Sequence, residues 1–138
     1  MPAGYSGTPL AKKLGIRPGA RVALLGAPRG FEATLEGLPA DAKLARKLGA
    51  QHDVIVLFPA DRSGLSRIKA CARALEPSGG LWIAWPKKSS GVATDLDFDV
   101  VQKAGLALGL VDNKVCAIDD VHSGLRFVVR LADRPKKA

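Results

Sequence analysis

Acidic residues are scarce in this sequence, and residues 1–30 contain none. Thirteen Asp and Glu stand against 21 Lys and Arg, so the formal net charge is +8. Such a balance favours anions as partners: nucleic acid, phosphorylated small molecules or acidic proteins. Aromatics are only 5%, and Trp82 and Trp85 sit in an apolar run that reads as a buried strand. No basic–aromatic platform for stacking single-stranded bases is therefore visible. There are two cysteines, Cys71 in a helical pattern and Cys116 in a strand pattern, with no C-x-x-C pair. That excludes a disulfide framework and predicts buried, reduced thiols. No stretch approaches the ~20 apolar residues of a membrane span. Met1 to Leu10 lacks the basic start and apolar core of a secretory signal. The expected compartment is the cytoplasm, with no membrane partner.

What remains is globular: 138 residues, 47% hydrophobic and 25% charged. That length predicts a single domain over residues 1–138, with a lead, helix and turn at 1–20 and a basic tail at 132–138. Thr8 is expected to cap a short helix with Pro9 at its first position. Arg21 to Gly26 (RVALLG), Asp53 to Phe58 (DVIVLF) and Leu81 to Trp85 (LWIAW) read as buried strands. Phe31, Leu35 and Leu38 recur at helical spacing, so Gly30–Leu38 predicts a helix stopped by Pro39. Residues 42–48 suit either a helix or a short edge strand. Asp61 or Ser63 caps the next predicted helix, which carries Leu65, Ile68, Ala72 and Leu75 on one face and is stopped by Pro77, Gly79 and Gly80. Asp95 to Leu108 predicts a helix with Phe98, Val101 and Leu108 inward and aspartates in its first turn. Lys114–Ile118 and Leu125–Leu131 predict a closing hairpin. Strands alternating with helices predict right-handed crossovers and a parallel sheet. The fold class is α/β, a compact Rossmann-like three-layer domain whose mainly parallel sheet ends in an antiparallel hairpin. The order of elements resembles a shortened class I methyltransferase sheet. The three strands at 21–26, 53–58 and 81–85 should lie side by side in that order, all parallel.

Several separated motifs carry a second resemblance. They are Tyr5-Ser6-Gly7-Thr8-Pro9-Leu10, Trp85-Pro86-Lys87-Lys88, Thr94-Asp95-Leu96, Gly109-Leu110-Val111-Asp112 and Ser123-Gly124-Leu125. From Gly4 to about Arg130 the chain resembles the bacterial family called domain of unknown function 3052. The resemblance implies a Rossmann-like domain and brings no established activity or catalytic residues. It also implies that relatives often carry Trp in place of His122, which argues against indispensable chemistry at that position.

The turn after the first strand is Gly26-Ala27-Pro28-Arg29-Gly30. It contains neither G-x-G-x-x-G nor the phosphate-loop pattern G-x-x-x-x-G-K-[ST]. It has no acid, and Pro28 withdraws a backbone donor, so S-adenosylmethionine is not expected to bind tightly and no cofactor is expected. His52 and His122 are isolated, and no metal site is expected. Asp95-x-Asp97-x-Asp99 resembles the start of a calcium loop, but Val100 and Leu106 stand where that loop needs Gly and Glu. Helix capping is the better reading. Ser123, His122 and Asp119 or Asp120 have the residue types of a hydrolytic triad, yet G-x-S-x-G is missing and a hairpin turn accounts for them.

The loop Trp85-Pro86-Lys87-Lys88-Ser89-Ser90-Gly91 follows a central strand. Ligands of open α/β sheets bind beyond the carboxyl ends of the strands. Arg29, Arg62, Lys87, Lys88 and Ser89 all follow such ends, so the candidate is an anion site, against a plain solvated basic loop. No catalytic residue is assigned. The leading expectation is a non-catalytic binding or regulatory module for an anionic small molecule or acidic partner. The alternative is a divergent S-adenosylmethionine-dependent methyltransferase-like enzyme. A third is nucleic-acid binding through the basic surface, and nothing bears on oligomeric state.

Overall fold

The computed structural model describes residues 8–49 and 51–134. Its elements in chain order are α1 (Leu10–Lys13), β1 (Arg21–Leu25), β2 (Lys43–Ala45), β3 (His52–Leu57), α2 (Ile68–Arg73), β4 (Leu75–Pro86), α3 (Phe98–Ala107), β5 (Leu110–Ala117) and β6 (His122–Val129). The six strands form one sheet in the order β2-β1-β3-β4-β6-β5. β1 pairs in parallel with β2 and β3, and β3 with β4. β6 runs antiparallel to both β4 and β5. The predicted parallel neighbours and closing hairpin are therefore present.

The two faces of the sheet bury different sets of side chains, as parallel strands covered on both sides must. On one face Ala23, Leu25, Ile55, Leu57, Leu81 and Ile83 meet α2 through Ile68 and Cys71, and α3 through Val101. On the other, Val22, Leu24, Val54, Val56, Trp82 and Ala84 meet Ala11 of α1, Phe31 and Leu35. These are the three layers. Trp82 is fully buried, and its Nε1 donates to the Leu14 carbonyl at 3.1 Å. That bond satisfies the indole in the core and ties the segment after α1 to the sheet.

Several local expectations change. Residues 42–48 contribute a three-residue edge strand parallel to β1, short enough to expose little unpaired backbone. Gly30–Leu38 forms only a single 3-10 turn, Phe31–Thr34, because Gly30 enters it with φ +76° and Leu35 leaves it with ψ 68°. Thr8 makes no cap: Pro9 is the capping residue of α1 and uses no side-chain bond. The helix after Asp61 opens as a 3-10 segment, Arg62–Arg67, and Asp61, not Ser63, accepts the amide of Gly64. It ends at Arg73, so Pro77, Gly79 and Gly80 lie within β4 rather than stopping a helix. The register of β4 against β3 shifts there, between His52 and Val54. In α3, Asp97 caps by accepting the Val100 amide, while Phe98 and Leu108 are exposed and Val101 is buried. Residues 1–7 and 135–138, parts of the lead and of the basic tail, lie outside the described residues.

Candidate active site at the carboxyl ends of the strands

β1 turns one way to β2 and the other way to β3, so the strand order switches direction between β1 and β3. Open α/β sheets leave their ligand crevice at such a point, above the carboxyl ends. Two loops meet there: Gly26–Gly30 after β1, and Phe58–Arg62 after β3. Gly26 has φ +69°, and a Cβ on it would sit 2.9 Å from the Phe58 carbonyl oxygen. Only glycine allows this backbone approach. Phe58 packs edge-on between Phe31, at 5.0 Å between ring centroids, and the His122 ring, at 5.1 Å.

His122 belongs to a dyad. Its Nδ1 lies 3.0 Å from Asp119 Oδ1. The same carboxylate oxygen accepts the backbone amides of Val121 and His122, at 2.9 and 2.6 Å. Asp119 thus shapes the β5–β6 turn and orients the imidazole together. With Nδ1 donating to the carboxylate, Nε2 of the neutral ring is the acceptor. Nε2 bonds no described residue and is not sealed in the core. The hairpin reading of this loop is correct, and of the triad residue types the sequence brought together here, the turn joins His122 to Asp119.

Arg46, just beyond β2, is a residue that sequence reasoning missed. Its Nη1 and Nη2 donate to the carbonyls of Ala27 and Pro28, at 2.9 and 3.0 Å. Its Nε and Nη2 meet Glu32 Oε2 and Oε1 at 2.8 and 2.7 Å. The guanidinium holds the Glu32 carboxyl down at about 2. In dinucleotide-binding sheets of this architecture a carboxylate about 20 residues past the first turn accepts ribose hydroxyls. Arg46 stands at that spacing from Gly26. The rim does not fit ribose recognition of that kind, because a cation bonded into the turn replaces the acceptor.

The predicted basic residues reach the same edge by different routes. Lys87 and Lys88 border an open depression of about 410 Å³ with Asp95 and Asp97. Arg62 touches this cluster through its amide, which donates to Asp95 Oδ1 at 2.9 Å. Asp61, the nearest carboxylate to Arg62 in sequence, is occupied with Ser63 and Gly64 instead. Neither lysine forms an ion pair among the described residues. Ser89 is exposed beside them but does not line the depression. Arg29 is exposed on the loop after β1 and bonds neither lysine. The depression carries both signs of charge rather than cations alone.

No protein-family model and no curated protein matches the chain. Solved structures do. A methyltransferase from Aquifex aeolicus, described as dependent on S-adenosylmethionine, superposes with TM-score 0.62 at 13% identity, covering 88% of each chain. The fibrillarin pre-rRNA processing protein of Methanococcus jannaschii gives 0.58 at 16% identity, over 83% of this chain and 68% of its own. The magnesium protoporphyrin IX methyltransferase of Synechocystis, solved with bound S-adenosylmethionine, gives 0.57 at 13% identity, over 88% and 74%. The chain has the Rossmann-like methyltransferase fold. The leading sequence expectation, a non-catalytic binding or regulatory module, is thereby corrected. Two of these three structures are named as methyltransferases, which favours the enzyme alternative over that module. The sequence had suggested this architecture, but surface charge and the missing glycine-rich turn outweighed it in favour of an anion-binding module.

Proposed function

We propose that this chain is a divergent S-adenosylmethionine-dependent methyltransferase acting on an anionic acceptor. The observation that carries the proposal is the fold, a mostly parallel sheet with an inserted antiparallel β6, which superposes on a methyltransferase at a sequence identity too low to show more than fold. Two features of the rim support it. The Asp119–His122 pair offers a proton acceptor at Nε2 for an O–H or N–H nucleophile. The Lys87 and Lys88 ammonium groups, with Arg29, Arg62 and Ser89 on the same edge, supply attraction for a negatively charged acceptor. Arg46 makes the enzyme divergent, since the cofactor's contacts at β2 must differ from ordinary ribose recognition. Membership of the family called domain of unknown function 3052, and a place in the bacterial cytoplasm, belong to the same reading. They rest on the sequence motifs and on the free thiols. Among the described residues no helix is long and apolar enough to cross a membrane.

Calorimetric titration with S-adenosylmethionine and S-adenosylhomocysteine tests the reading. Saturable binding of either is expected, and ligand at ~100 times its Kd should add about 2.7 kcal/mol to stability. No heat and no thermal shift at millimolar ligand would overturn it.

A further inference from the structure

At the opposite edge of the sheet lies a cation that the rim chemistry does not use. Arg126 on β6 is half-buried on the α1 face, where it pairs across the sheet with Trp82 and Lys114. Its guanidinium runs over Gly80 of β4, and a Cβ at Gly80 would overlap its Nε. The absent side chain is what gives the guanidinium its seat. Once there it is poorly compensated. Among the described residues its guanidinium bonds only a neutral acceptor, Asn113 Oδ1, at 3.3 Å, and forms no ion pair. Burial and the nearby Arg134 both push its pKa down. A partly desolvated cation without a carboxylate is unfavourable unless an anion completes it.

Two depressions meet at this guanidinium, and both are also bordered by Gly15. The first, of about 270 Å³, is lined by Lys12, Lys13, Asn113 and Lys114. Among the described residues its polar lining side chains are cations and one amide. The second, of about 430 Å³, is bordered by Arg17, Asp53 and Ser78, with Gly19 and Gly79 in its wall. Asp53 uses Oδ2 to accept the Arg21 amide at 2.9 Å, and Oδ1 bonds no described residue. A carboxylate oxygen and a serine hydroxyl are hydrogen-bonding partners for sugar hydroxyls. The division is therefore between a phosphate-attracting half and a hydroxyl-recognising half, joined by a guanidinium suited to bidentate phosphate contact.

We propose that this basal cleft is a second ligand site, which takes a phosphorylated sugar, free or within a mononucleotide. The phosphate sits on Arg126 among Lys12, Lys13 and Lys114, and the sugar hydroxyls face Asp53 and Ser78. The site does not depend on the methyltransferase reading, because it shares no residue with the carboxyl-end rim. It explains why a strand position beside a buried tryptophan holds arginine, and why the facing strand has glycine there.

The test is titration of the full chain with ribose 5-phosphate, AMP, ribose and adenosine. Ribose 5-phosphate and AMP should bind and the uncharged pair should not. Tighter binding of AMP would identify the nucleotide as the source, and equal binding the free sugar phosphate. Arg126→Gln should weaken binding at least tenfold and Lys114→Ala about threefold, while Lys87→Ala with Lys88→Ala should leave it unchanged. In the unsubstituted protein, the NMR signal of Arg126 Nε–Hε should move on saturation with ribose 5-phosphate, a readout that needs no variant to fold. The proposal is overturned if none of the phosphates binds at millimolar concentration, or if that signal stays still while binding occurs. It is also overturned if a short RNA binds at this face far more tightly than AMP, with steep salt dependence.

Discussion

Arg46 closes on Glu32 through two near-parallel contacts of 2.8 and 2.7 Å, while its remaining donors hold the carbonyls of Ala27 and Pro28. One guanidinium thereby joins the segment just beyond the edge strand β2 to the turn after β1.

That pair predicts an acid limb in the stability profile. The Glu32 carboxyl is lowered from its ordinary 4.5 to about 2, first by its hydrogen bond to Arg46. A depressed carboxyl stabilises the folded state above its unfolded pKa, and the contribution is lost as pH falls towards the folded value. Stability should therefore decline between about pH 4.5 and 2. Glu32→Gln should remove its share of that decline, a small one because both side chains are solvent-exposed and screened. Urea titrations at stepped pH measure this, and an unchanged slope in the variant would refute it.

Asp119→Asn should separate chemistry from folding. The amide oxygen still accepts the Val121 and His122 backbone donors, so the loss of stability should stay near 1 kcal/mol. The imidazole loses its carboxylate partner, and methyl transfer to a protic acceptor should fall by about 10²-fold. Long-range nitrogen–proton NMR should show the ring protonated at Nδ1 in the unsubstituted protein and mixed in the variant. A ring already mixed in the unsubstituted protein would argue against the dyad.

Gly105→Ala should run against helix propensity. In an open helix the change would stabilise by up to about 1 kcal/mol. Here α3 lies on β6, and a Cβ at Gly105 would overlap the ring of Phe127, which is fully buried. Overpacking at such a site costs about 1–3 kcal/mol. Chemical denaturation should show net destabilisation; a stabilised variant would mean that α3 sits further from the sheet.

Cys71 should resist thiol reagents until the protein unfolds. It is fully buried, and burial lifts its thiol to about 11. The thiolate is the reactive form, so labelling at neutral pH should track global unfolding. Cys116 is half-buried and should react sooner. Equal rates at the two sites in the native protein would be inconsistent with this packing.

The strands around Ala23, Ile55 and Ile83 were legible because nearly continuous apolar runs separated by helix-length segments leave few arrangements except a buried parallel sheet. The carboxyl-end location of Lys87, Lys88 and Arg62 followed from chain direction alone. By contrast, the sequence contained no signal that Gly30–Leu38 would collapse to one 3-10 turn, since its apolar spacing fits a helix and the left-handed backbone at Gly30 decides otherwise. Nor did periodicity distinguish strand from helix in residues 42–48, where the β1 backbone supplies the missing partners.

The sequence by itself determined the class of fold, the run of its central strands, the sign of its surface charge and the absence of a glycine-rich nucleotide turn, because these depend on local pattern and composition. The tertiary structure alone decided which charges meet. Arg46 and Glu32 are fourteen positions apart and join across a turn. Gly80 and Arg126 share one space only because β4 and β6 are neighbours. Asp119 and His122 are close in sequence, yet their roles depend on a turn geometry that brings one carboxylate oxygen to two backbone amides and an imidazole. Pairings of this kind arise from strand order and register, which long-range packing sets and residue spacing does not encode.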